Sequence, residues 1–250
     1  MEDQGPNIEA LDRIRIVLVE PKEPGNVGSV ARAMKNMGLS RLYLVRPPDH
    51  RSGDARKMAH GSGDILYGAT VSDSLEEALA GTVLAVGTTH RQRQNLDLMV
   101  GPREATRRLL GLPDGTEGAL VIGREENGLT NAELELCQLI SRIPTACRYP
   151  SLNLSQAALI FAHELHQAAT RPRETPDLDL APHEQLEAMY RHISDALDKL
   201  GFVSRHRPST FMRSLRRLFS RAQFERRDVA TIHRIFRQVD KYVSRNEAEG

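Results

Sequence analysis

Short runs of β-branched and aliphatic residues, each followed by a helix-period pattern, constrain this chain more than any other feature. Ile14-Arg15-Ile16-Val17-Leu18-Val19 reads as a strand. A loop with two prolines follows, and Asn26 is placed to cap a helix reaching Met37, with Gly38 as its stop. Residues 41–45 are a second strand, ended by Pro47-Pro48. This order predicts a βαβ unit and a parallel sheet. The alternation continues with a short helix over 55–60, a strand over 69–71, a helix over 74–80 and a strand over 82–87 running into Thr88-Thr89-His90. A polar loop over 91–100 comes next, then a helix from Pro102 to Leu110. Residues 118–122 form a further strand, and Thr130 and Glu133 form a capping box. A last strand over 139–143 leads to a long helix over 154–169. Residues 7–13 read as a loose arm. The expected class is α/β, a mostly parallel sheet with helices on both faces.

The pattern changes after residue 170. Residues 171–182 contain three prolines and several charges and read as a linker. Beyond it only helical periodicity remains. One stripe holds Leu186, Met189, Tyr190, Ile193, Leu197 and Leu200, with Gly201 as the stop, and a second holds Phe211, Leu215, Leu218 and Phe219. Val229, Ile232, Ile235, Phe236, Val239 and Val243 form a third. The expected division is a catalytic domain over 1–170, the linker, and a basic helical domain over 183–250. The net charge of +1 conceals an asymmetry: residues 201–250 hold twelve Arg and Lys against five Asp and Glu, leaving −6 for the rest. Such a block suits a polyanion, although a solvated helix face is the commoner meaning of charge alone. Cys137 and Cys147 are too few for a disulfide framework and fit no metal spacing. The polar N-terminus lacks the features of a secretory leader, and no apolar run reaches the ~18 residues of a membrane helix. A cytoplasmic chain with reduced thiols and no membrane partner is expected.

Several chemistries have no motif here. There is no GxGxxG after the first strand, no GxxxxGK[ST], no GxSxG and no HExxH. His163 and His166 share a helix, but packing or exposure suits them better than metal ligation, and no metal is expected. Three constellations remain, each at a strand end or helix start. Asn26-Val27-Gly28-Ser29-Val30-Ala31-Arg32 offers a helix N-terminus and a planar guanidinium, but alone it favours a cap and a surface arginine. Gly123-Arg124-Glu125-Glu126-Asn127-Gly128 follows a buried strand. A tight turn with a solvated glutamate and a ligand loop fit it equally well. Pro150-Ser151-Leu152-Asn153-Leu154-Ser155 opens the long helix, where capping and ligand contact are compatible.

Taken together, Asn26-x-Gly28-x-x-Ala31-Arg32, Gly123-x-Glu125-x-x-Gly128-Leu129 and Ser151-Leu152-Asn153-Leu154-Ser155 resemble the SPOUT RNA methyltransferases, in the branch that methylates ribose 2′-hydroxyls. The resemblance covers residues 14 to about 169. The tail, notably 212–221, resembles the TrmJ-type branch, which acts on cytidine or uridine at position 32 of the tRNA anticodon loop. The resemblance implies a C-terminal trefoil knot, which sequence rules would not suggest. It also implies S-adenosylmethionine as cofactor, a homodimer through the catalytic domain, and tRNA as partner. Cofactor contacts would fall on Thr88, Thr89, His90, Gly123, Ile143, Pro150, Ser151 and Leu152. Catalytic roles would fall on Arg32, Asn26, Glu125, Ser151 and Asn153. Arg213, Arg216, Arg217 and Arg221 would meet RNA phosphates. Arginine keeps its proton at ordinary pH, so Arg32 is expected to clamp a phosphate and steady the developing alkoxide. A different RNA or tRNA position, a catalytically silent RNA binder, and a small-molecule binder are the competing readings.

Overall fold

The computed structural model describes residues 8–90, 99–146, 152–170, 178–202, 208–220 and 222–249. The chain separates into two compact units, 1–177 and 178–250.

The first unit is an open α/β sheet. Its strands are β1 (Ile14–Val19), β2 (Arg41–Val45), β3 (Thr70–Ser72), β4 (Thr82–Thr88), β5 (Met99–Val100), β6 (Glu117–Ile122) and β7 (Leu139–Ser141), in spatial order β3-β2-β1-β6-β4-β7-β5. Every pairing is parallel. Each strand is therefore followed by a crossover, which brings α1 (Pro24–Asn36), α2 (Gly53–Met58), α3 (Gly63–Tyr67), α4 (Leu75–Leu79), α5 (Pro102–Leu110), α6 (Asn131–Glu135) and α7 (Leu154–Ala169). The expected mostly parallel sheet with helices on both faces is borne out.

β1 shows why its sequence is a continuous apolar run rather than an alternating one. Ile14, Ile16 and Leu18 pack in one core with α1, α5 and α7, while Val17 and Val19 pack in the opposite core with α4 and α6. Both faces of a parallel sheet are covered, so neither face can be polar. The exception is Arg15, 8% exposed, whose guanidinium donates to Glu117 and to the carbonyls of Ala78 and Ala80. Buried charge is tolerated there because it is paired and hydrogen-bonded.

Some expectations shift. Residues 8–13 are not a loose arm but a 3-10 helix that buries Ala10 and Leu11. α1 begins at Pro24, two residues before Asn26, because proline's fixed φ suits the first helical position. Asn26 is thus inside the first turn and is not the cap. Gly38 has φ +76 and ends the helix as expected. Gly63–Tyr67 and Met99–Val100 are elements too short for periodicity to reveal. The trefoil knot depends on the path of residues 147–151, which lie outside the described residues.

The second unit holds α8 (His183–Lys199), α9 (Pro208–Phe219) and α10 (Arg226–Glu249), the three helices expected. Its core gathers Ala181, Leu186, Met189, Tyr190, Ile193 and Val229. Residues 178–182, within the segment expected as linker, belong to this unit: Leu180 bridges to Glu225, and the Ala181 N–H donates to the Phe224 carbonyl. Ile235 departs from its expected stripe and is 56% exposed, since its 100° step places it at the edge of the inward face. Among the described residues, no helix is long and apolar enough to cross a membrane.

Candidate active site

The carboxyl ends of β1 and β6 are neighbours in the sheet, yet their loops leave in opposite directions, towards β2 and β7. Ligands in open α/β sheets gather outside such a switch point. Here the loop after β6 turns its carboxylate onto the loop after β1. Glu125 Oε2 accepts from the Lys22 N–H at 3.0 Å, and Oε1 accepts from the Glu23 N–H at 3.3 Å and from Asn26 Nδ2 at 3.0 Å. Asn26 Oδ1 in turn accepts from Asn153 Nδ2 at 3.1 Å. Asn153 is the N-cap of α7, where its Oδ1 accepts from the Ser155 N–H at 2.8 Å and its own N–H donates to Gln156. One side chain therefore caps a helix and completes a relay. Burial alone would raise the Glu125 pKa, but the Asn26 amide and the surrounding backbone N–H groups outweigh it and lower the value. The group is held as an acceptor-only carboxylate.

Gly123 and Gly128 shape the loop. A Cβ on Gly123 would stand 2.2 Å from the Gly128 carbonyl carbon, and Gly128 has φ +64. The loop thus folds back on its own backbone, which only glycine permits at both positions. Between them Arg124 acts as the anchor. Its side chain is 15% exposed and donates to Glu20 at 2.6 Å and to both oxygens of Glu133 at 2.9 Å. Glu133 is also the capping-box partner of Thr130 at the start of α6. Glu20 pairs with Arg46 as well, and both adopt positive φ, 45 and 44, at the ends of adjacent strands. Strained backbone of this kind is held by its surroundings and gathers at functional sites.

Beside this cluster, at the carboxyl ends of the strands, opens a cleft, where ligands gather in open α/β sheets. Thr88, Thr89 and His90 line it from the end of β4, Ile122, Gly123, Arg124, Glu125 and Gly128 from β6 and its loop, and Ser141 and Ile143 from β7. Leu152, Leu154, Ala157 and Phe161 close it from α7.

The structure thus brings Thr88, Thr89, His90, Gly123, Ile143 and Leu152 to one cleft, with Glu125 on its wall and Asn26 and Asn153 hydrogen-bonded in series behind that glutamate. It does not bring Arg32 there. Arg32 is exposed on α1, about 9 Å along the axis from Asn26 and on another side, and makes no side-chain hydrogen bond or ion pair among the described residues. Pro150 and Ser151 lie outside the described residues. Arg124 and the cleft face of α7 were missed. Leu154, Ala157 and Phe161 stand at i, i+3 and i+7, the same spacing that a purely structural core stripe shows.

On the second unit, the expected RNA-facing arginines divide. Arg213 and Arg217 are exposed. Arg216 is engaged within the unit: it forms a two-pronged pair with Glu187 at 2.6 and 2.7 Å and lies 4.2 Å over the Tyr190 ring. Arg221 lies outside the described residues. Among the described residues no group of three His, Cys, Asp or Glu is arranged to hold a metal ion.

Fold and cleft define an α/β ligand-binding domain of the open parallel class, with its site at the strand carboxyl ends. The chain belongs to the SpoU rRNA methylase family, whose model matches residues 13–163, and the C-terminal domain of the tRNA methyltransferase TrmJ matches residues 184–248. It is 38% identical over 240 residues to the tRNA (cytidine/uridine-2′-O-)-methyltransferase TrmJ of Photorhabdus laumondii, covering 94% of this chain and all of that one. It is 39% identical over 244 residues to the tRNA (cytidine/uridine/adenosine-2′-O-)-methyltransferase TrmJ of Pseudomonas aeruginosa, covering 92% and 95%. The crystal structure of TrmJ from Z. mobilis ZM4 superposes with a TM-score of 0.78 at 30% identity, covering 90% and 98%. The resemblance read from the three motifs is borne out.

Proposed function

We propose that this chain methylates the ribose 2′-hydroxyl of tRNA using S-adenosylmethionine, and that its target is the pyrimidine at position 32 of the anticodon loop. The observation that carries the reading is the Glu125–Asn26–Asn153 relay, which ties three distant motifs together beside the cleft at the strand carboxyl ends. The Photorhabdus laumondii and Pseudomonas aeruginosa relatives act on tRNA cytidine and uridine, the latter on adenosine as well, which supports the substrate class.

The cleft suits the cofactor on its own chemistry. Ile122, Ile143, Leu154 and Phe161 offer apolar walls for a flat base, while the glycine loop presents backbone edges for polar groups. Thr88, Thr89, His90, Gly123, Ile143 and Leu152 would hold it. The cofactor supplies an electrophilic methyl group on a sulfonium centre. The protein's own task is to place a ribose hydroxyl in line with that methyl group and manage its proton. Glu125 fixes the loops after β1 and β6 against each other, and Asn26 and Asn153 fix α1 and α7 to that carboxylate. Arg32, exposed and unpaired, is suited to fork onto a substrate phosphate, in this subunit's site or that of a second copy in a homodimer. The helical unit supplies phosphate contacts that add affinity.

The test is mass spectrometry of nuclease-digested tRNA after incubation with the chain and labelled S-adenosylmethionine. Label on 2′-O-methylcytidine or 2′-O-methyluridine at position 32 is the expected result. Label on a base, or none, overturns the reading. Arg32→Lys should lower turnover at least ~10-fold, since a lysine cannot make the forked contact. Sedimentation of the intact chain should give a dimer.

A further inference from the structure

The helical unit leaves one sector of α10 uncovered. At 100° per residue, Arg234, Lys241 and Arg245 fall within about 40° of one another along the helix. All three are exposed and make no side-chain hydrogen bond or ion pair among the described residues. Beside that row stand Ile235, 56% exposed, and Tyr242, 63% exposed, two turns apart on the same side. The two acids of α10 between residues 226 and 245 are occupied elsewhere. Asp228 accepts from the Glu225 N–H, and Asp240 holds Lys199 and His192.

An ordinary solvated face pairs its cations and spaces its apolar side chains singly. This one aligns three unpaired cations beside an exposed aromatic ring and an aliphatic side chain. That combination fits single-stranded nucleic acid, in which phosphates meet cations and an unstacked base meets an aromatic face. An acidic peptide would satisfy the cations but leave Tyr242 and Ile235 in water. A second copy of this chain would bring like charges together. Arg216, by contrast, is fixed to Glu187 and Tyr190 and serves the unit's own packing.

We propose that this sector of α10 binds a single-stranded segment of the RNA substrate, with Arg234, Lys241 and Arg245 on phosphates and Tyr242 stacked on a base. The inference rests on the tRNA reading above and moves the centre of RNA contact from α9 to α10.

Binding of the full chain to a tRNA transcript and to oligouridylate, followed by fluorescence anisotropy over a salt series, tests it. The triple variant Arg234→Gln, Lys241→Gln, Arg245→Gln should lower the slope of log affinity against log salt by about two. Tyr242→Ala should weaken binding about tenfold with the slope unchanged, and Tyr242→Phe should retain the parent affinity. All these side chains are exposed, so circular dichroism should match the parent. Parent-like affinity and slope in both the triple variant and Tyr242→Ala overturn the inference, as does a parent that binds polyglutamate as tightly as oligouridylate. If the parent methylates tRNA while the α10 variants bind normally, the inference falls and the methyltransferase reading stands. If the variants lose RNA affinity but the parent transfers no methyl group to tRNA, the surface stands and the reading of the reaction falls.

Discussion

At the scale of single residues, the site is built from side chains with two obligations. Glu125 accepts two backbone N–H groups and one amide, so Glu125→Gln replaces an acceptor with a donor facing donors. The expected cost is about 1–3 kcal/mol of stability, with turnover falling further than cofactor affinity. Urea unfolding and labelled-methyl transfer measure the two separately. Because the Glu125 pKa is lowered in the fold, its contribution is complete above the ordinary carboxylate value near 4.5. It is lost as pH falls through the lowered value. The parent should therefore lose more stability between pH 5 and 3 than Glu125→Gln does. Gly28 is different in kind. It belongs to the motif that carries Asn26 and Arg32, yet a Cβ there would stand 2.1 Å from the Ala55 carbonyl oxygen of α2. Gly28→Ala must part α1 from α2, at about 1–3 kcal/mol, and a thermal melt should show it. Part of what reads as a functional motif is thus a packing requirement that holds α1 against α2.

Among elements, α8 and α10 are joined by a polar contact that depends on pH. His192 Nδ1 lies 2.7 Å from His233 Nδ1 with the rings stacked, and His192 Nε2 lies 3.0 Å from Asp240, which also holds Lys199. Two nitrogens at that distance share one proton, so charging both rings breaks the bond. Burial, then His192 and Arg237, lowers the His233 pKa. A base with a lowered folded pKa binds fewer protons in the native state. Its stabilising effect is whole above its ordinary value of about 6.5 and declines as pH falls below it. The urea midpoint of the helical unit should drop between pH 7.5 and 5.5, and His233→Gln should flatten that slope. Equal slopes in parent and variant would sink the idea. α8 and α9 are joined by Arg216 instead. Arg216→Lys removes one prong and the stack on Tyr190, so unfolding should cost about 1–3 kcal/mol less than in the parent, whereas Arg217→Ala should be silent.

For the whole molecule, the proposed function assigns the cofactor to the first unit and added RNA affinity to the helical one, so a chain ending at residue 177 should still release heat on binding S-adenosylmethionine while tRNA binding weakens strongly. Equal loss of both in calorimetry and anisotropy would assign the helices a structural role. The sequence by itself determined the parallel α/β class, because strand and helix periods are local and a strand buried on both faces must be apolar throughout. It determined the three helices of the tail for the same reason. It also marked Glu125, Asn26 and Asn153 as residues of interest, through spacing and type. What only the tertiary structure decided is which of them meet. Glu125 and Asn26 are 99 residues apart and Asn153 and Asn26 are 127 apart, and a hydrogen bond across such distances follows from strand order, not from pattern. The same holds for Arg124 and Arg216. Each reads as one more charge, and each becomes an internal anchor because the fold delivers carboxylates to it. Ile235 went the other way, since a stripe read from spacing shows a helix's apolar edge but not where its neighbours stop covering it.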